Sequence, residues 1–356
     1  MDGFETEGAR SHRGLTYPYG RGVPAAAGGD SFQIADGLYW ARMPLPFALK
    51  FINVWLADDG DGWSVIDTGV PVPDAKDNWR SLFSGRMAGE PVRRMIVTHM
   101  HPDHVGNAGW IARKHPGARL WMSRLEYTTC RMLIADTGRE APDEGITFYR
   151  RAGWDDAQIQ NYKDRFGGFG RGVAPMPDAY RRLQDGDAFE MGGGTWHVIV
   201  GSGHSPEHVC LYEPERNLLI SGDQILPRIS SNVSVFPTEP DANPLQDWLD
   251  SCERLKAAVP EDVLVLPAHN EPFRGAHTRL QALIDGHERG LERLQERLAE
   301  PCRVTDVFSV LFARPIGLDV VGMATGEALA HLNCLIARGL ATREPGEDGV
   351  DRYRAC

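Results

Sequence analysis

Long hydrophobic runs are missing from this 356-residue chain. No apolar stretch approaches the roughly 18 residues that a membrane span needs. The opening residues, MDGFETEGARSHRG, are acidic and polar and hold no apolar segment of the kind that directs secretion. A cytoplasmic protein that does not enter membranes is the expectation. Cysteine is sparse too. Cys130, Cys210, Cys252, Cys302, Cys334 and Cys356 lie far apart with no CxxC pair. That pattern is neither a disulfide framework nor a zinc ribbon, and reduced, mostly buried thiols are expected. Positive charge is in deficit, with a net charge of −11, which disfavours an electrostatic grip on nucleic-acid phosphates. Internal repeats and low-complexity tracts are absent as well.

What is present suits one large domain, or a large one and a small one: 42% of residues are hydrophobic and 24% charged. Residues 1–30 are rich in Gly, Pro and Ala and read as an irregular segment. Residues 31–275 alternate short β-rich runs with helical ones, the signature of an α/β sandwich. VWLADDGDGWSVIDTG reads as a hairpin, and VRRMIVTHMH as a buried strand. NAGWIARKHPG reads as a short helix stopped by Pro116 and Gly117. Residues 124–180 break the alternation with helices and a Gly-rich loop, an insert or lid longer than a plain connection. From 276 to 356 the pattern is helical. Leu280, Leu283, Ile284, Leu291, Leu294 and Leu298 recur at helical spacing, and a short hairpin ends the chain. That order resembles a small winged-helix-like domain.

The stretch THMHPDH, at 98–104, holds three of the chain's twelve histidines and an aspartate. His99 and His101 follow a strand and can turn toward one point, while Asp103 and His104 can face a second point nearby. Imidazole with carboxylate suits zinc, iron or manganese, and the lack of sulfur ligands argues against a closed structural zinc site. Three further residues of ligand type sit just past apolar strands, each beside a Gly or Pro: His204 in GSGHSPEH, Asp223 in SGD and His269 in PAHN. Open α/β folds gather ligands at such strand ends.

In order and spacing these motifs, with Asp67 in VIDTG, resemble the metallo-β-lactamase superfamily over residues 32–275. The resemblance implies an αββα sandwich with a dinuclear metal site between its sheets. It implies that His99, His101 and His204 bind one divalent ion, zinc before iron or manganese. Asp103, His104 and His269 would bind a second, with Asp223 bridging the two. Hydrolysis is the implied chemistry, with Asp103 also taking part in proton handling. Both His104 and His269 being present weighs against the mononuclear iron dioxygenase branch.

Asp67 is expected to orient the metal loop through a hydrogen bond. His208 is read as a supporting or substrate-contacting group, and Arg228 either meets an anionic substrate group or forms a salt bridge. His197 is expected to pack in the core. His115, His277, His287 and His331 are expected to be ordinary packed or solvated residues.

The superfamily hosts many substrates. A secreted lactamase lacks its export signal here. A nuclease or phosphodiesterase is the alternative, but residues 275–356 carry ten arginines and no lysine against twelve Asp or Glu, with Arg338 alone in the would-be recognition helix. That deficit also weighs against a non-catalytic, DNA-binding sensor. A glutathione thioester is less favoured, because the tail does not match that branch. The expectation is therefore hydrolysis of an ester, acyl-CoA-like thioester or lactone, with an acyl conjugate or other small molecule as partner and a homodimer as one assembly. Tyr127, Phe148, Tyr149, Trp154, Tyr162, Phe166 and Phe169 are expected either to line an acyl pocket or to pack the insert. Phe47, Leu49 and Phe51 are candidates for a loop over the cleft.

Overall fold

The computed structural model describes residues 10–20 and 29–356. Its frame is two β-sheets pressed face to face. The first runs in chain order through Ser31–Ala35, Leu38–Pro44, Phe51–Asp58, Trp63–Ile66, Val92–Ile96, Arg119–Met122 and Tyr180–Arg182. It is antiparallel up to Trp63–Ile66 and parallel after it. The second comprises Ala188–Met191, Gly194–Gly201, His208–Glu213, Leu218–Gly222 and Leu264–Pro267, the last pair parallel.

Alternation along the strands decides which face each side chain covers. Trp40, Trp55, Ile66 and Ile96 of the first sheet meet Trp196, Val198, Leu211 and Ile220 of the second in one buried cluster. The intervening residues Ala41, Val54, Val65 and Met95 point the other way, under Trp79, Ile111 and Tyr127 from the flanking helices Pro73–Ser84, Ala108–Lys114 and Arg124–Ala135. The far face of the second sheet, with Cys210, Leu219 and Val265, is covered by Pro244–Ala258, Ala276–Arg297 and Val321–Ala337. This is the expected αββα sandwich. Both faces of each sheet are buried, which is why the strands read as apolar runs.

The expected hairpin forms between Phe51–Asp58 and Trp63–Ile66. The C-terminal stretch follows its long helices with the antiparallel hairpin Ala341–Pro345 and Asp351–Ala355. Two expectations are corrected. Part of the N-terminal segment is ordered: Arg10–His12 and Leu15–Tyr17 form a hairpin whose Leu15 and Tyr17 are buried and whose Thr16 bridges to Arg274. Most of the remaining N-terminal residues lie outside the described ones. His197 faces solvent, because its neighbours Trp196 and Val198 take the inward positions on Gly194–Gly201. The insert's aromatic residues mostly pack against one another and the sandwich. Tyr149 stacks on Trp154 with ring centroids 4.1 Å apart, and Tyr127 stacks on Tyr180 at 4.0 Å.

Candidate metal centre

The candidate ligands lie beyond the carboxyl ends of strands, Asp103 and His104 on the short helix Pro102–Val105. His99 and His101 follow Val92–Ile96, His204 follows Gly194–Gly201, Asp223 follows Leu218–Gly222, and His269 follows Leu264–Pro267. The fold brings all seven together. Ligand atoms of His99, His101 and His204 lie within 4.8 Å of one another, as do those of Asp103, His104 and His269. Asp223 groups in the same way with His99 and His104. Its two oxygens face different histidines. Oδ2 is 3.5 Å from His204 Nε2, whereas Oδ1 is 3.6 Å from the Nε2 atoms of both His104 and His269.

The rings are aimed by acceptors behind them. A carbonyl or carboxylate oxygen can only accept, so the nitrogen facing it carries the proton and the other offers its lone pair. His204 Nδ1 donates to the Asn232 carbonyl at 2.7 Å, His269 Nδ1 to the Phe51 carbonyl at 3.2 Å, and His104 Nδ1 to Asp67 Oδ2 at 2.8 Å. Asp67 thus lies beneath the loop that carries His99, His101 and His104. Its backbone is left-handed, with φ of 60°, and its Oδ1 also accepts the Thr98 N–H at 2.8 Å. His208 does not reach into the cleft. It is fully buried, stacks on His99 and accepts the Asp223 N–H through Nε2 at 3.0 Å. Gly222, with φ of 49°, makes room for it: a Cβ there would lie 2.5 Å from the His208 ring. Arg228 is paired with the buried Glu271 and not held free for a substrate anion.

Charge divides the centre in two. Burial and the surrounding imidazoles drive His99 well below the usual imidazole range and His101 down to about 3, so these two rings are neutral near pH 7. In the other half burial is outweighed by carboxylates. Asp67, Asp103 and Asp223 raise His104 well above its ordinary value, and Asp223 and Asp103 raise His269. Burial alone would raise Asp103 too, but His104 and His269 hold it at about 2.

The donor set fits a divalent cation. His104 Nε2, His204 Nε2 and Asp223 Oδ1 are buried and have no hydrogen-bond partner. Such orphaned atoms cost about 1–3 kcal/mol each, and lone pairs converging from imidazole and carboxylate are what zinc, iron or manganese accepts.

Several supports carry no local sequence signal. Glu126 is fully buried. It accepts the Met100 N–H through one oxygen and the Glu207 N–H through the other, both at 2.8 Å, tying together the loops of His101 and His204. Asn53 donates to the carbonyls of Pro267 and Asn270, on either side of His269. The loop after Asp223 is gripped by Val321–Ala337. There Glu327 accepts from Asn232 Nδ2 at 2.8 Å, and the Gly326 carbonyl accepts the Val235 N–H at 3.0 Å. Gly326 permits that approach, since a Cβ would lie 2.7 Å from Ser234. Phe47 and Leu49 are exposed in the turn just before Phe51.

Comparison with known proteins agrees with this architecture. The profile of the metallo-beta-lactamase superfamily matches residues 48–269, and that of the metallo-beta-lactamase-like C-terminal domain matches 291–356. A beta-lactamase domain protein from Burkholderia ambifaria superposes with a TM-score of 0.87 at 40% identity, over 96% of this chain and 98% of that one. A metallo-beta-lactamase family protein from Thermus thermophilus gives 0.76 at 26% identity, over 91% and 100%. Acyl-coenzyme A thioesterase MBLAC2 from Homo sapiens is 26% identical over 251 residues, 67% of this chain and 80% of that one. Atrochrysone carboxyl ACP thioesterase from Aspergillus fumigatus is 24% identical over 272 residues, 75% of this chain. This chain spans 49% of the fungal protein's length. With fold and both profiles in agreement, the chain belongs to the metallo-β-lactamase superfamily and is an enzyme of its hydrolase family.

Proposed function

We propose that the protein hydrolyses thioesters of acyl carriers at a centre of two divalent cations, zinc in the first instance. His99, His101 and His204 would hold one ion, Asp103, His104 and His269 the other, and Asp223 both. The observation that carries the reading is the division of Asp223, one oxygen toward each histidine set. When bound, such a pair of ions makes hydroxide available from water near pH 7 and polarises a carbonyl oxygen. The chain's own residues do the rest. Asp67, Asn232 and Phe51 fix the tautomers of His104, His204 and His269 so that each Nε2 faces inward. Asp103 Oδ2 lies 3.2 Å from His269 Nε2. This half-buried carboxylate is placed to take a proton from the attacking water and pass it toward the departing thiolate.

Thioesters are favoured over other carbonyl substrates because two similar proteins are named as thioesterases, one for acyl-coenzyme A and one for an acyl carrier protein. Esters and lactones present the same carbonyl to the same groups and are the natural comparison substrates. The test is thiol release from acyl-CoA by zinc-loaded protein, run beside a lactone, a generic phosphodiester and RNA. Thioester turnover that is lost in His104→Ala together with part of the bound metal is expected. Turnover of phosphodiester or RNA alone would overturn the reading.

A further inference from the structure

A cleft of about 550 Å³ opens beside His204, within the roughly 300–1,000 Å³ of small-molecule sites. Its apolar walls are Met100, Met132, Val235 and Phe236. Met100 belongs to the metal loop itself, Met132 to the insert helix Arg124–Ala135, and Val235 and Phe236 to the loop gripped by Val321–Ala337. Two of these side chains are conspicuous in the open. Met132 is 46% exposed and Phe236 49%. Large apolar groups facing one another across a cleft, rather than packing into the core, mark a surface that is covered by something else.

We infer that this cleft receives the acyl chain of the substrate, and that Met132 and Phe236 set its preferred length. The inference rests on the thioesterase reading, whose reacting carbonyl lies at the centre. The occupant follows from continuity, because the cleft is lined by His204 itself, so a ligand whose carbonyl reaches the metal donors extends its acyl side along these walls. Charge disfavours the opposite orientation. Glu239 and Asp247 also line the cleft, a poor seat for the phosphates of a carrier. The acyl group therefore lies on the His204 side, and the carrier leads away from this cleft. Unbranched methionine and a rotatable phenylalanine suit a flexible aliphatic chain better than a rigid ring system.

The test is a chain-length series of CoA thioesters, acetyl to decanoyl, on the zinc-loaded protein, with Met132→Glu and Phe236→Glu as variants. Both positions are exposed, so folding is spared. The kcat/KM is expected to climb several-fold per methylene added until the cleft is filled. The octanoyl-to-acetyl ratio is expected to fall about tenfold or more in each variant. A parallel arm measures binding of the free fatty carboxylates by calorimetry, which needs no turnover. Length-dependent carboxylate binding lost in the variants, without thioester hydrolysis, would keep the cleft and reject the thioesterase reading. Hydrolysis that is flat across chain length, or ratios and carboxylate binding unmoved by both variants, would overturn the acyl cleft.

Discussion

The molecule buries histidines in two places, and they behave oppositely. At the candidate metal centre, ring nitrogens converge with carboxylates and leave buried atoms of His104, His204 and Asp223 unpartnered. At the seam between the sandwich and the C-terminal helices, His287 and His331 are equally buried and also adjacent, with Nδ1 of the first 3.3 Å from Nε2 of the second. Yet each remaining nitrogen is answered, His287 Nε2 by Ser230 and His331 Nδ1 by the Glu327 carbonyl. Among the described residues, no carboxylate joins that pair in a converging group as Asp223 and Asp103 do theirs. Burial of imidazole is therefore not the mark of a metal site; convergence with unanswered lone pairs is.

The sharpest way to break the comparison is Asp223→Ala. With the shared carboxylate gone, kcat/KM is expected to fall on the order of 10³-fold or more, and metal analysis should show fewer ions per chain; full metal and activity would put the centre elsewhere. Asp67→Asn keeps the volume but removes the charge behind His104. Metal affinity or turnover should drop about 10–100-fold, read by chelator competition.

The seam pair predicts an effect on stability instead. Burial and then His331, against the opposing pull of Glu288, lower His287 to about 4, and burial lowers His331 as well, against about 6.5 for an unfolded imidazole. Between those values the unfolded chain binds more protons. Stability is thus whole above about pH 6.5 and is lost as pH falls toward 4, by up to about 3 kcal/mol from His287. Urea titrations across that window should show the slope, and His287→Gln should flatten it. The smallest effect closes the series: His287→Gln should leave metal content unchanged, and a lost ion would erase the distinction between the two sites.

How much of this could be read from the chain itself followed from distance in sequence. Strand alternation and the helical leucines of Ala276–Arg297 are local, and they gave the sandwich and the C-terminal helices. His204, Asp223 and His269 were legible as candidate ligands because each follows an apolar strand near a Gly or Pro. Glu126 was not legible, since its partner Glu207 is 81 residues away, nor was Glu327, 95 residues from Asn232. Such pairs exist only after tertiary packing. His208 has the ring for a contact in the cleft, but the glycine beside Asp223 draws it behind the carboxylate. The insert's aromatic residues could have lined a pocket or packed, and only the stacked geometry of Tyr149 and Trp154 decides it.

The grip of Val321–Ala337 on the loop after Asp223 bears on how this protein could be recombined with its kin. The family profiles divide the chain between residues 269 and 291, which invites a splice there. A hybrid cut at that point would hand residues 223–235 a foreign helix, and Glu327 and Gly326 would no longer meet Asn232 and Ser234. The loop and the helix are one cassette, inherited or exchanged together across some ninety residues of intervening chain.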